Sequence, residues 1–158
     1  MKTSARAVLG LLLALLAGCG PSPERAAADR AEVEKLLADY AERLTLCYQT
    51  GDAAPLAEIA TGRETTRVTV RIRELSEQGR ALRPKLVRMV VESVEAHSGT
   101  GATATTIETW DLTMVAVGSE QTVAESKGQE NRVVYSLMRE RGRWWVLSRL
   151  LKSSTEGP

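Results

Sequence analysis

The stretch NRVVYSLMRERGRWWVLSRLL, residues 131–151, decides the fold. β-Branched, aromatic and other apolar residues lie on both sides of Glu140-Arg141-Gly142, a short polar segment that ends in glycine. Strands favour such residues, and a short loop with glycine joins adjacent antiparallel strands. The stretch therefore predicts a hairpin of two strands, Asn131–Arg139 and Arg143–Leu151.

Two further strands precede this hairpin. Leu86–Glu95 is dense in valine, Ala102–Val117 is a long threonine-rich run, and the turn-like Ser98-Gly99-Thr100-Gly101 separates them. Gly118–Glu130 is polar and is interpreted as a loop, and residues 153–158 are interpreted as a disordered tail. The second half of the chain thus predicts four antiparallel strands.

The segment before the strands has helical periodicity. Apolar residues recur at intervals of three and four between Glu24 and Tyr48, which predicts one long helix with a single apolar face. Thr50-Gly51-Asp52 ends this helix and offers Asp52 as the cap of a short helix through Ile59. The members of the apolar face are Val33, Leu36, Leu37, Tyr40, Leu44, Cys47 and Tyr48.

Residues 63–78 fit two patterns. Four β-branched residues from Thr66 to Ile72 alternate with threonine and arginine, as in a strand. Val68, Ile72 and Leu75 also lie on one side of a helix, with arginines on the other side. Local propensity favours the strand, so periodicity alone leaves both structures open.

Helices followed by a run of long strands define an α+β class, in which the helices pack on one face of a curved sheet of about four strands. Val133–Arg139 and Gly142–Leu147 resemble the last hairpin of the nuclear transport factor 2-like (NTF2-like) superfamily. Three earlier segments resemble the intermembrane-space domain of chloroplast division proteins and its bacterial relatives. They are Ala60-Thr61-Gly62, Val90–Val94 and Ala104–Trp110 with its Glu108.

This resemblance spans roughly residues 30–152 and implies a cone-shaped domain in which residues 63–78 are helical. It further implies a non-catalytic module, in which a cleft holds a terminal segment of a membrane-bound partner protein or an apolar ligand, as an accessory to an envelope assembly. Some members of the superfamily are instead isomerases and cyclases, with acid and base groups inside the cone. The alternative is therefore a small enzyme that uses a carboxylate in its pocket.

Glu108 and Trp110 are the leading site candidates, because alternation places both on one face of a strand. Burial can raise the pKa of a carboxylate, so Glu108 is the candidate base of the enzymatic alternative. Tyr135 and Trp145, on neighbouring strands, join them as candidate ligand-binding or partner-binding residues. His97 is the only histidine, and at a strand end we expect it to be exposed rather than catalytic.

Trp144 and Trp145 are adjacent, so they face opposite sides of their strand. Trp144 alternates in phase with Val146, and we expect it in the core. Trp145 alternates in phase with Arg149, and we expect both on the other face.

The first nineteen residues have the layout of an export signal with a lipid-attachment site. Lys2 and Arg6 flank the start of an apolar stretch, Val8–Leu16, that is too short to span a bilayer stably. Leu16-Ala17-Gly18-Cys19 resembles the bacterial lipoprotein box, in which the cysteine receives a diacylglycerol and becomes the first residue of the mature protein. Gly20 is not the aspartate that retains such proteins at the inner membrane, so the resemblance implies the periplasmic side of the outer membrane.

These features divide the chain into a signal peptide at 1–18, a lipidated tether at 19–25 and one α+β domain at 26–152. The 21 basic and 20 acidic residues nearly cancel, which gives no electrostatic case for nucleic acid. With Cys19 acylated, Cys47 is the only thiol left, so neither an internal disulfide nor a zinc site of the usual spacing is expected. We expect Cys47 to be buried and inert, and we expect no cofactor.

Residues 63–88 carry a local excess of positive charge, with eight basic against three acidic residues. In a chain tethered near a bilayer such a segment is suited to anionic headgroups. A solvated helix face is the other interpretation, and the sequence leaves both open.

Overall fold

The computed structural model describes residues 22–152, so the predicted signal peptide, Cys19 and the predicted tail lie outside the described residues. The elements are α1 Pro23–Thr50, a 3₁₀ helix Ala54–Glu58, α2 Gly62–Glu77, β1 Arg80–Ser98, β2 Gly101–Ala116, β3 Thr122–Glu140 and β4 Arg143–Lys152. The strands form one antiparallel sheet in the order β1-β2-β3-β4. The helices pack on one face of it, which confirms the α+β class.

Both ends of α1 carry a capping residue. The Ser22 hydroxyl accepts a hydrogen bond from the Arg25 amide at 3.3 Å, Pro23 occupies the first turn, and Gly51 ends the helix at a φ of 75°. Because α1 begins at Pro23, the last three residues that we assigned to the tether are helical. The predicted apolar face is confirmed, with Leu36 and Tyr48 half-buried against the core and the other five members buried. Ala41 is a further buried residue of α1. None of the helices within residues 22–152 combines the length and the apolar character that a membrane span requires.

Residues 63–77 are helical, as the resemblance implied, and Gln78 is the C-cap of this helix. Val68 and Leu75 are buried against the rest of the fold. Their burial stabilises the helix, in which they share one face, over the strand that local propensity favours. Two threonines of α2 fit because their hydroxyls donate to carbonyls one turn earlier, Thr65 to Thr61 at 3.2 Å and Thr69 to Thr65 at 3.0 Å. Tertiary packing therefore overrides a local preference for strand.

The prediction that Gly118–Glu130 is a loop is wrong from Thr122 onwards. β3 begins at Thr122, and only residues 117–121 turn the chain from β2 to β3. Residues 122–130 are all exposed, so they carry no apolar alternation that a sequence pattern could reveal. Backbone pairing with β2 makes this segment a strand.

The core fills the space between α1, the 3₁₀ helix and the concave face of the sheet. Tyr40 of α1 and Tyr135 of β3 meet at its centre, with ring centroids 5.6 Å apart and planes at 84°. Cys47 lies fully buried in the same cluster, and burial raises the pKa of its thiol. The prediction of a buried Cys47 is therefore confirmed, and the raised pKa keeps the thiol protonated and unreactive.

Candidate binding site

A buried carboxylate lies on the concave face of the sheet. The Glu108 side chain is 0% exposed because β2 alternates strictly between buried and half-buried residues along this stretch. Its Oε1 accepts hydrogen bonds from the Tyr135 hydroxyl at 2.7 Å and the Thr106 hydroxyl at 3.1 Å. Its Oε2 accepts from the Trp110 indole at 2.8 Å and from Arg149 Nη2 at 2.6 Å. Four donors therefore occupy the carboxylate.

Arg149 is the member of this cluster that the sequence analysis placed on the wrong face. Ser148 pairs with Ser136 and Val146 pairs with Leu137, so Leu147 is the extra residue of a β-bulge. The bulge reverses the alternation of β4, because each residue beyond it points to the opposite side. Arg149 is therefore buried against Glu108.

One signal in the sequence bears on Arg149. A charged carboxylate inside a core needs a cation or several donors, so the assignment of Glu108 to the inner face already called for a partner. Regular alternation would place Arg149 on the opposite face, so Arg149 reaches Glu108 only because β4 contains the bulge. No composition signal marks the bulge itself.

Burial is the largest single effect on the pKa of Glu108 and raises it, but the positive charge of Arg149 lowers it. Hydrogen bonds from Tyr135, Arg149 and Trp110 act in the same direction, and the net pKa of Glu108 lies below its usual value. Burial also raises the pKa of Tyr135, which stays a neutral donor. Glu108 is thus a stable anion at neutral pH, whereas we expected burial to raise its pKa.

A second buried carboxylate mirrors the first on α2. Glu64 is 1% exposed and accepts from the Tyr40 hydroxyl at 2.5 Å, while Arg67 donates to it through Nε at 2.9 Å and Nη2 at 2.6 Å. Burial raises the pKa of Tyr40, and the charge of Glu64 adds to this effect. The sequence analysis did not single out Glu64, since its position in α2 reads as an ordinary first-turn acid.

The two carboxylate clusters meet through the edge-to-face contact of Tyr40 and Tyr135. The contacts thus run in series, from arginine to glutamate to tyrosine in one cluster and from tyrosine to glutamate to arginine in the other. Each carboxylate has its own arginine, so the pair of clusters is electrically balanced. Such balanced, fully bonded groups fix side chains in place rather than offering a free acid or base.

A cavity of about 220 Å³ opens between α1, α2 and the concave face of the sheet. Trp110 and Arg149 form part of its wall, whereas Glu108 lies behind them. Arg67 contributes the second cation of the wall. The remaining lining is largely apolar and consists of Leu44, Tyr48, Leu82, Pro84, Leu112, Gln129, Asn131 and Leu151.

The other candidates lie away from this cavity. Trp145 is on the outer face of β4, where the Arg143 guanidinium lies 4.9 Å from its ring centroid, while Trp144 is in the core as expected. His97 is exposed, and its Nε2 lies 2.6 Å from the Thr103 hydroxyl. Within residues 22–152 no group of three or more His, Cys, Asp or Glu side chains is arranged to hold a metal ion.

Solved structures with this fold include the intermembrane-space region of the chloroplast protein ARC6. It superposes with a TM-score of 0.66 at 18% sequence identity, and the match covers 77% of this chain and 95% of that one. An NTF2-like protein with a cystatin-like fold from Novosphingobium aromaticivorans gives a TM-score of 0.48 at 18% identity, over 84% of this chain and 88% of the other. No protein-family model and no curated protein matches the sequence.

The architecture is therefore the α+β fold that the sequence predicted, with helices on one face of a four-stranded antiparallel sheet. More particularly, the chain is similar in fold to the ARC6 intermembrane-space region, and at 18% identity this likeness concerns the fold alone.

Proposed function

We propose that this protein is a lipid-anchored envelope lipoprotein whose domain binds an apolar segment of a partner protein without catalysing a reaction. The observation that carries the proposal is the cavity walled by Trp110, which offers apolar surface together with a few fixed polar groups. Binding sites typically combine these two features. The chloroplast setting of ARC6, whose fold is similar, fits a module that works beside a membrane.

The same geometry argues against the enzymatic alternative. An isomerase or cyclase of the cone fold needs an acid or base that reaches its substrate. Glu108 is fully buried, bonded to four donors and held as an anion, and it does not line the cavity. Its role is to hold Trp110 and Arg149 in the cavity wall.

The cavity lies far from the proposed anchor. Leu44 of its wall comes 21 residues after Pro23 in α1, which corresponds to roughly 32 Å along the helix axis. The three residues between Cys19 and Pro23 add at most about 14 Å even when extended. The anchored end of the domain thus stays close to the bilayer, and the cavity lies roughly 32 Å further along α1.

The anchoring half of the proposal is tested at Cys19. Cys19→Ser is expected to abolish lipid attachment, because serine has no thiol to form the thioether with diacylglycerol. Incorporation of labelled fatty acid, combined with membrane fractionation, measures this. Equal labelling of Cys19→Ser and the parent would contradict the lipoprotein assignment.

The binding half is tested by two neighbouring residues on opposite faces of β4. Leu151 lines the cavity and is 55% exposed, whereas Leu150 is 58% exposed on the outer face. A photo-reactive amino acid at Leu151 is expected to capture a discrete partner in intact cells, and the same group at Leu150 is not. The adducts are separated by size and identified by mass spectrometry.

The matched exposure of these two positions makes the comparison informative. Equal capture from Leu150 and Leu151 would mean non-specific contact and would contradict a site in the cavity. Capture of a small molecule rather than a protein at Leu151 would replace the partner segment by an apolar ligand.

A further inference from the structure

A second cavity, of about 390 Å³, adjoins the binding site at the end of α1. It lies between the last turn of α1, the second half of α2 and the start of β1. Tyr48 and Leu82 line both cavities and therefore form a shared wall. The two cavities are therefore neighbours, and residues that adjoin a segment bound in the first cavity lie within reach of the second.

The second cavity combines an apolar floor with an excess of positive charge. Ile72 and Leu75 are among its lining residues, and three arginines surround them. Arg83 donates to Glu120 at 3.0 Å, and Arg73 approaches Glu77 at only 3.7 Å. Glu120 is the one acidic residue of the lining.

Arg80 is the arginine of this cavity that has no partner. Its side chain makes no ion pair or hydrogen bond within residues 22–152, and the residue is exposed at the start of β1. An arginine presents up to five donors in a planar fork that matches a carboxylate. Arg80 and the loosely paired Arg73 therefore offer two guanidinium groups to a ligand.

We propose that this second cavity binds acidic residues that adjoin the apolar segment of the same partner. The inference rests on the proposed function, since it takes the occupant of the first cavity as its starting point. The apolar part of the partner contacts the wall with Trp110, and its carboxylates contact Arg73 and Arg80. Charge complementarity selects an acidic peptide and disfavours a neutral or basic one.

The position of this cavity separates an acidic peptide from anionic lipid. Tyr48 lies 25 residues after Pro23 along α1, or roughly 37 Å from the anchored end. Headgroups reach the arginines only if the whole helix lies flat on the bilayer. A protein segment reaches them in any orientation, so Arg73 and Arg80 are assigned to a protein partner.

The proposal is tested with synthetic peptides and the full chain in neutral phosphatidylcholine nanodiscs. The probe is a fluorescent peptide with four glutamates followed by two leucines and a free carboxyl end. The matched peptide has glutamine at the four positions. Fluorescence anisotropy is expected to show that the glutamate peptide binds roughly tenfold more tightly, and that this advantage is lost near 1 M salt, where charges are screened within about 3 Å.

Matched variants locate the effect. Arg73→Gln combined with Arg80→Gln is expected to weaken binding of the glutamate peptide roughly tenfold and to change the affinity for the glutamine peptide by no more than about twofold. Arg63→Gln combined with Arg88→Gln removes the same charge from exposed positions outside the cavity and is expected to change neither. All four positions are exposed, so folding is preserved, and circular dichroism checks it.

Three results would overturn the proposal. The first is undetectable or equal binding of the two peptides, and the second is an equal loss in the Arg63 and Arg88 variant. The third concerns the Cys19→Ser chain without nanodiscs. If this chain floats with phosphatidylglycerol vesicles but not with phosphatidylcholine vesicles, and the Arg73 and Arg80 substitutions abolish the flotation, the ligand is lipid. Capture from Leu151 is measured separately, so the proposed function can survive any of these outcomes.

Discussion

Arg149→Met is expected to lower the free energy of unfolding by about 3–5 kcal/mol. The substitution leaves the Glu108 carboxylate buried and charged without its cation, while methionine keeps much of the side-chain volume. Urea denaturation followed by tryptophan fluorescence measures the loss. Arg132→Met is the control, because its pair with Glu92 is exposed and is worth about 1 kcal/mol or less.

The pH dependence of this loss has a defined sign. The folded pKa of Glu108 is lowered in the parent, so its contribution to stability is present above the unfolded pKa of about 4.3 and is lost as pH falls through the folded value. Without Arg149, burial dominates and raises the folded pKa, so the variant loses stability as pH rises through it. The difference in stability between parent and Arg149→Met is therefore expected to shrink from about pH 7 to about pH 4.

A double variant separates the loss of the pair from the loss of packing. Glu108→Gln combined with Arg149→Met removes both charges of this buried pair and is expected to recover more than half of the stability that Arg149→Met loses. An Arg149→Met protein no less stable than Arg132→Met would contradict the buried pair. So would a stability difference that grows as pH falls.

The sequence predicted those elements in which the spacing of apolar residues matches the spacing of the buried positions. The apolar face of α1 recurs with helical spacing because every member meets the core, and Trp144 alternates correctly because it precedes the bulge. Residues 63–78 needed the family resemblance, because threonine and valine favour strands locally while packing of Val68 selects the helix. The first half of β3 was not predicted because it has no apolar pattern and is a strand only through its pairing with β2.

Regular alternation also decided which residues of the candidate site could be predicted. Glu108 and Trp110 were placed together correctly, since β2 is regular over that stretch. Arg149 was placed on the wrong face because a single extra residue, Leu147, shifts the register of β4. Glu64 was missed because only the tertiary contact with Tyr40 distinguishes it from a surface acid.

The paired clusters explain how a small domain keeps an open cavity beside its core. Trp110 and Arg149 are only 4% and 9% exposed, and the bonds to Glu108 hold them in the cavity wall. A wall that is fixed before binding reduces the conformational entropy lost when a partner associates. The buried charges therefore serve the shape of the site, and their energetic cost is balanced within each cluster.

Trp110→Ala is expected to reduce capture of the partner from Leu151 by a factor of at least ~10, because tryptophans in the centre of a site commonly dominate binding. The same truncation removes a donor to Glu108 and costs about 3–5 kcal/mol of stability, so capture is measured well below the melting temperature of each variant. Trp110→Phe keeps the ring and removes only the donor, and it is expected to retain most of the capture. Trp145→Ala truncates the same residue type on the outer face and is expected to capture as the parent does. Unchanged capture by a folded Trp110→Ala protein, or an equal loss in Trp145→Ala, would show that the partner binds elsewhere than in the cavity.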